Sequence, residues 1–95
     1  MSAPLPVTRD DQLLLNPLFI LRWEDAQQAH ILLYPEGMVR LNPTAGQILT
    51  ECVARPHVGA MIDHLIDQYH DDSIAPDVLE FLAVAVEKGW LKRAL

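Results

Sequence analysis

Hydrophobic positions change period once along this chain. Up to Leu41 the apolar residues fall in short runs bounded by turn formers; from Ala45 onward they recur every three or four positions. Leu18-Phe19-Ile20-Leu21-Arg22-Trp23, between Asn16-Pro17 and Glu24-Asp25, reads as a strand. Ala29-His30-Ile31-Leu32-Leu33-Tyr34 reads as a second, and Met38-Val39-Arg40-Leu41 as a third. Pro35-Glu36-Gly37 joins these two, supplying a fixed φ and then a glycine free to take a positive one, as a tight hairpin requires.

Asn42-Pro43 then opens a helix, with a side-chain acceptor at the N-cap and proline where its missing N–H costs nothing. Ala45, Ile48, Leu49, Cys52 and Val53 form one apolar face, and Arg55-Pro56 ends the helix. Val58, Met61, Ile62, Leu65, Ile66 and Tyr69 repeat the spacing in a second helix, which Asp71-Asp72-Ser73 breaks. A third starts near Pro76-Asp77 and runs through Val86, with Gly89 as a left-handed cap after which Trp90-Leu91 fold back. Three strands followed by three helices predict an α+β fold, a small three-stranded antiparallel sheet against a three-helix bundle.

The chain has 95 residues, enough for one domain near the lower limit of self-sufficient cores. Residues 1–15 are expected as a flexible or exchanged N-terminal arm and residues 16–95 as a single domain. Met1 to Asp11 reads as lead-in, whereas Leu13-Leu14-Leu15 are too apolar to stay wet and should dock on the body or on a second chain. No apolar run approaches the roughly 20 residues that span a bilayer. The N-terminus lacks the charged and apolar regions of a signal peptide. With the lone Cys52 in an apolar helical stripe, this makes cytoplasmic the expected location.

Net charge is −6, and its distribution is uneven. Between Pro56 and Glu87 there is no Lys or Arg, while Asp63, Asp67, Asp71, Asp72, Asp77, Glu80 and Glu87 fall there. Such a surface repels polyanions. A sheet with three short-linked helices is winged-helix-like, and a transcriptional regulator is the alternative reading. Its would-be recognition helix, however, carries Asp77, Glu80 and Glu87, the wrong sign for phosphate.

Catalytic and metal patterns are thin. His57 and His64 lie on roughly one face of the second helix, but a zinc site needs three or four convergent ligands and no HxxxH or CxxC occurs. His57 also suits the role of helix N-cap. Cys52 lacks the exposed, positive setting of a nucleophile. The expectation is no enzyme activity, no cofactor and no metal. What remains is protein interaction: an exposed strand edge either accepts an extended peptide through main-chain hydrogen bonds or is covered or used in dimerisation, and the residues alone leave both readings open. Val39→Pro, which removes a backbone donor from the third strand, is the substitution expected to abolish such docking.

Leu33-Tyr34-Pro35-Glu36-Gly37, Leu41-Asn42, Thr44-Ala45, Ile48-Leu49 and Cys52 together resemble the coenzyme PQQ synthesis protein D (PqqD) family. Val78-Leu79-Glu80-Phe81-Leu82 and Glu87-Lys88-Gly89-Trp90-Leu91 are similar to its C-terminal helix. The chain departs from the pattern at Ala54-Arg55-Pro56-His57, where relatives often have an Asp-Gly turn. The resemblance implies a non-catalytic peptide chaperone, a recognition element for ribosomally made precursors. It would bind the peptide PqqA and present it to the radical SAM enzyme PqqE in pyrroloquinoline quinone biosynthesis. It also implies that the peptide pairs with the third strand and lies against the third helix, which places the site at Met38, Val39, Arg40 and Leu41 with Val78 and Leu82 opposite. A strand-exchanged homodimer is compatible with the Leu13-Leu14-Leu15 arm.

Overall fold

The computed structural model describes residues 6–94. The expected lead-in at Met1 to Leu5 lies outside these residues. The order of elements is β1 (Leu13–Leu15), β2 (Ile20–Glu24), β3 (Ala29–Tyr34), β4 (Gly37–Arg40), α1 (Pro43–Ala54), α2 (Val58–Tyr69), α3 (Ala75–Glu87) and β5 (Leu91–Arg93). A single 3₁₀ turn, Asp72–Ile74, precedes α3. Among the described residues the fold is α+β, with three helices and two antiparallel sheets.

The larger sheet has the order β2-β3-β4. Strand β2 starts two residues later than the apolar run suggests, because Asn16 turns the chain. Its side-chain oxygen accepts from the Leu18 N–H at 3.0 Å and its carbonyl from the Phe19 N–H at 2.9 Å. Gly37 pairs with Tyr34, so the hairpin turn is the two-residue Pro35-Glu36, and the glycine is the first residue of β4. Leu21, Leu32 and Val39 form a row across one face, the face that packs on the core. Ile20, Leu33 and Met38 form a row across the other.

The second sheet was not visible in the apolar pattern. Strand β1 pairs antiparallel with β5, Leu13 opposite Arg93 and Leu15 opposite Leu91. The Leu13-Leu14-Leu15 segment thus docks on the body of its own chain, with Leu13 fully buried. Residues 6–12 are also seated. The Asp11 and Arg9 carbonyls accept from the Val58 and Gly59 N–H groups, each at 2.9 Å. His57 Nδ1 accepts from the Ala60 N–H at 3.2 Å. Donors that a helix start leaves orphaned are therefore capped by the lead-in strand and one histidine.

The expected caps of the other helices are present. Asn42 Oδ1 accepts from the Ala45 N–H at 2.7 Å, with Pro43 in the first turn. Gly89 takes φ +79°, and the Trp90 N–H reaches back to the Ala85 carbonyl at 2.9 Å, the paired bonding of a glycine C-cap. That turn launches β5, which carries Leu91 back into the core. Leu13, Leu32, Leu49, Met61, Leu65 and Leu82, one or more from nearly every layer, meet in one cluster. No helix is long and apolar enough to cross a membrane among the described residues.

Candidate functional site

Strand β4 lies at the edge of the larger sheet, so among the described residues one side of its backbone has no strand partner. The ladder decides which groups face outward. The Leu41 N–H donates to the His30 carbonyl at 3.0 Å. In an antiparallel pair, bonded positions alternate, so Val39 opposite Leu32 shares that class. Met38 and Arg40 are the intervening positions, and their N–H and C=O groups point to the open edge. A strand added there would pair with those two residues. Val39 consequently bonds inward, so Val39→Pro would damage the β3–β4 ladder and is the wrong probe of docking; Met38→Pro removes an outward donor instead.

Side chains follow the same parity. Met38 is 49% exposed and Arg40 is exposed, whereas Val39 packs against the core and Leu41 is buried. The two α3 positions expected to face β4 differ, and the cleft they adjoin is lined by no β4 residue among the described residues. Val78 lines a cleft of about 400 Å³. Leu82 is 0% exposed and supports the cleft from within the core, so it offers no contact surface. The residue that presents surface from this turn is Phe81, which lines the cleft with Ile48 of α1, Tyr69 of α2 and Ile74. Its half-buried place beside a fully buried Leu82 is the helical signal that would have picked it out. Tyr69 is held at the rim by donating to Gln47 Oε1.

The cleft is mainly apolar, with Asp77 as its charged member, and Asn42 links it to the end of β4. A second cleft, of about 490 Å³, opens on the other side of the same Asn42 and is walled by Trp23, His30 and Arg40. His30 is pressed onto α1: a Cβ on Gly46 would stand 2.7 Å from its Nδ1, which is why a glycine occupies that helical position. Trp23 meets His30 edge-on, 5.1 Å between ring centroids, and its indole N–H donates to Asp25 at 2.7 Å.

The groups considered for chemistry are used elsewhere. His57 caps α2, while His64 Nε2 stands 3.6 Å from Glu51 on α1. No three His, Cys, Asp or Glu side chains gather as a metal set among the described residues. Cys52 is buried beneath β1, its Sγ 3.8 Å from the Leu13 carbonyl, and desolvation pushes its pKa up to about 11. That is the opposite of thiolate activation. The Asp71 carboxyl is held below its ordinary range by the Ser73 hydroxyl and N–H, which fix the turn into α3.

The family model for coenzyme PQQ synthesis protein D (PqqD) matches residues 29–91, from the start of β3 to the first residue of β5. This chain belongs to the PqqD family. A curated relative from Methylococcus capsulatus, named PqqA binding protein, is 41% identical over 86 residues, covering 90% of this chain and 92% of that one. A protein of the same name from Stutzerimonas stutzeri is 44% identical over 75 residues, covering 78% and 82%. Among solved structures, the PqqD truncation of Methylobacterium extorquens PqqCD superposes with a TM-score of 0.73 at 28% identity, covering 90% of this chain and 94% of that one. That solution structure is described as a functional, stand-alone recognition element for ribosomally synthesized, post-translationally modified peptides. The PqqD match begins at β3, so it spans β4, both clefts' helical walls and α3, but not β1 or β2.

Proposed function

We propose that this PqqD-family chain binds the precursor peptide PqqA by strand addition and presents it to PqqE in pyrroloquinoline quinone biosynthesis, without catalysing a reaction itself. The open edge of β4 carries the reading: main-chain groups of Met38 and Arg40 face outward, and Asn42, just past the strand's end, lines an apolar cleft with Val78 and Phe81. The names of the curated relatives and the recognition-element title of the structural neighbour support it. The arrangement is winged-helix-like in use, with the peptide between an edge strand and the third helix. A single unit from residue 16 onward holds both walls, and the buried, unpaired Cys52 fits a reducing cytoplasm. The absence of Lys and Arg from Pro56 to Glu87 argues against the regulator alternative, because α3 then lacks the charge to approach phosphate.

Titrating ¹⁵N-labelled protein with synthetic PqqA tests this directly. The expected result is shifts at the Met38 and Arg40 amides and around Phe81. Shifts confined to α2 and its histidines would overturn the placement. Adding PqqE to the labelled complex should perturb a separate surface while the β4 shifts persist; loss of the β4 shifts on its addition would refute presentation.

A further inference from the structure

We infer that the cleft walled by Trp23, His30 and Arg40 is a subsite for an acidic side chain of the bound peptide, and that Arg40 anchors it. This rests on the proposed strand addition at β4 and specifies how the peptide is set along that edge.

Arg40 is an exposed guanidinium on the last residue of the open strand. It donates to the Gln27 carbonyl at 3.4 Å, and among the described residues it forms no ion pair. The other acceptors nearby are engaged. Asp25 takes the Trp23 indole N–H, and Glu24 stands 3.7 Å from Arg22. Most of the five donors of Arg40 are therefore free, in the planar fork that matches a carboxylate. Arg40 lines a cleft of about 490 Å³ at the end of the open strand.

The opposite cleft has the other sign. Asp77 lines it, and the helical half behind it has acids but no Lys or Arg. Both clefts meet at Asn42. A peptide strand on β4 thus lies in a field that runs from positive at Arg40 to negative at Asp77. An acidic side chain is drawn to the Arg40 cleft and repelled from the Asp77 cleft. Main-chain pairing alone is indifferent to register, because every residue offers the same N–H and C=O. The charge difference supplies the register.

The test is binding of synthetic PqqA to wild type, Arg40→Gln and Arg40→Lys, read by calorimetry and by amide shifts. Arg22→Gln is the control, since Arg22 lies in the same row of the sheet but on β2, away from the open edge. Arg40→Gln is expected to weaken binding about tenfold and to flatten its salt dependence, with Arg40→Lys between and Arg22→Gln within about twofold. Peptides in which each acidic residue is replaced in turn by its amide should identify one position. That replacement should weaken binding to wild type and not to Arg40→Gln. If wild type shifts at Met38 to Leu41 but Arg40→Gln binds as tightly, the subsite is wrong and strand addition stands. Equal losses from the amide peptide in both backgrounds would also overturn the subsite. If wild type shows no shifts along β4, the strand-addition reading fails first and the subsite with it.

Discussion

The two sheets use the same backbone chemistry for opposite ends. In the β1–β5 sheet Leu13 and Leu91 are almost wholly buried, and the sheet is held further by the Leu13 N–H bond to the Pro56 carbonyl and the Asn16 N–H bond to Trp90. It ties the two ends of the chain together over the core. In the β2-β3-β4 sheet one face covers the core, while Ile20 and Met38 on the other are 61% and 49% exposed. Its β4 edge is free. Hydrogen bonding closes the first sheet and leaves the second open, which separates the part that ties down the fold from the edge proposed to bind.

Substitutions should split along that line. Leu13→Ala, deleting a fully buried side chain of the terminal sheet, is expected to cost about 2–5 kcal/mol in urea denaturation and to weaken peptide binding only through loss of folded protein. Met38→Ala at the open edge should change stability by less than about 0.5 kcal/mol. Comparable losses at both positions would erase the contrast. Proline gives the next largest effect. Val39→Pro strands the Leu32 carbonyl it faces and should cost about 1–3 kcal/mol. Met38→Pro, whose lost donor faces outward, should keep the fold and lose PqqA binding. Unchanged binding by Met38→Pro would mean that the edge is not the docking line.

The open sheet was legible in the sequence and the closed one was not, for a physical reason. Strands β2 to β4 are joined by short turns, so their signals are local: Pro35-Glu36-Gly37 and Asn42-Pro43 announce the boundaries by themselves. Strands β1 and β5 have three residues each and are partners across almost the whole chain. No periodicity forms in three residues, although three adjacent leucines rightly demanded burial. Gly89 foretold the fold-back but not its destination. In the site, parity within β4 placed Met38 with Arg40 and Val39 with Leu41 correctly. Which pair turns its backbone to the open edge depended on the bond from Leu41 to His30, a register set by packing. Helix α3 was found from its period, yet choosing Phe81 over Leu82 as the surface residue required knowing how the helix is rotated on α2.

Gly46→Ala probes the junction between the open sheet and α1. Its Cβ would meet His30 Nδ1 at 2.7 Å, too close without movement of the ring. The expected loss is about 1–3 kcal/mol, because overpacking outweighs alanine's better helix propensity. A displaced His30 should also reshape the Arg40 cleft, so binding per folded molecule falls slightly. If Gly46→Ala is as stable as wild type, His30 is not wedged there and the sheet is less firmly seated on α1 than its contacts imply.

The closed sheet also carries an expected pH dependence. Cys52 lies under β1, and burial raises its thiol pKa from 9.0 to about 11. The unfolded chain therefore releases the thiol proton first as pH rises. Stability linked to this group is complete below about 9 and is lost as pH climbs through about 11, an effect of at most about 3 kcal/mol. Tyrosines and lysines titrate in the same range, so the measurement is the difference between wild type and Cys52→Ala in urea midpoints from pH 8 to pH 11. The wild type should lose more stability over that interval, and its thiol should react with a disulfide reagent only as fast as the β1 cover opens. Rapid labelling at pH 8 in a fully folded sample would show that the terminal sheet opens readily, and that the division between a closed sheet and an open one is weaker than the burial of Leu13 and Leu91 suggests.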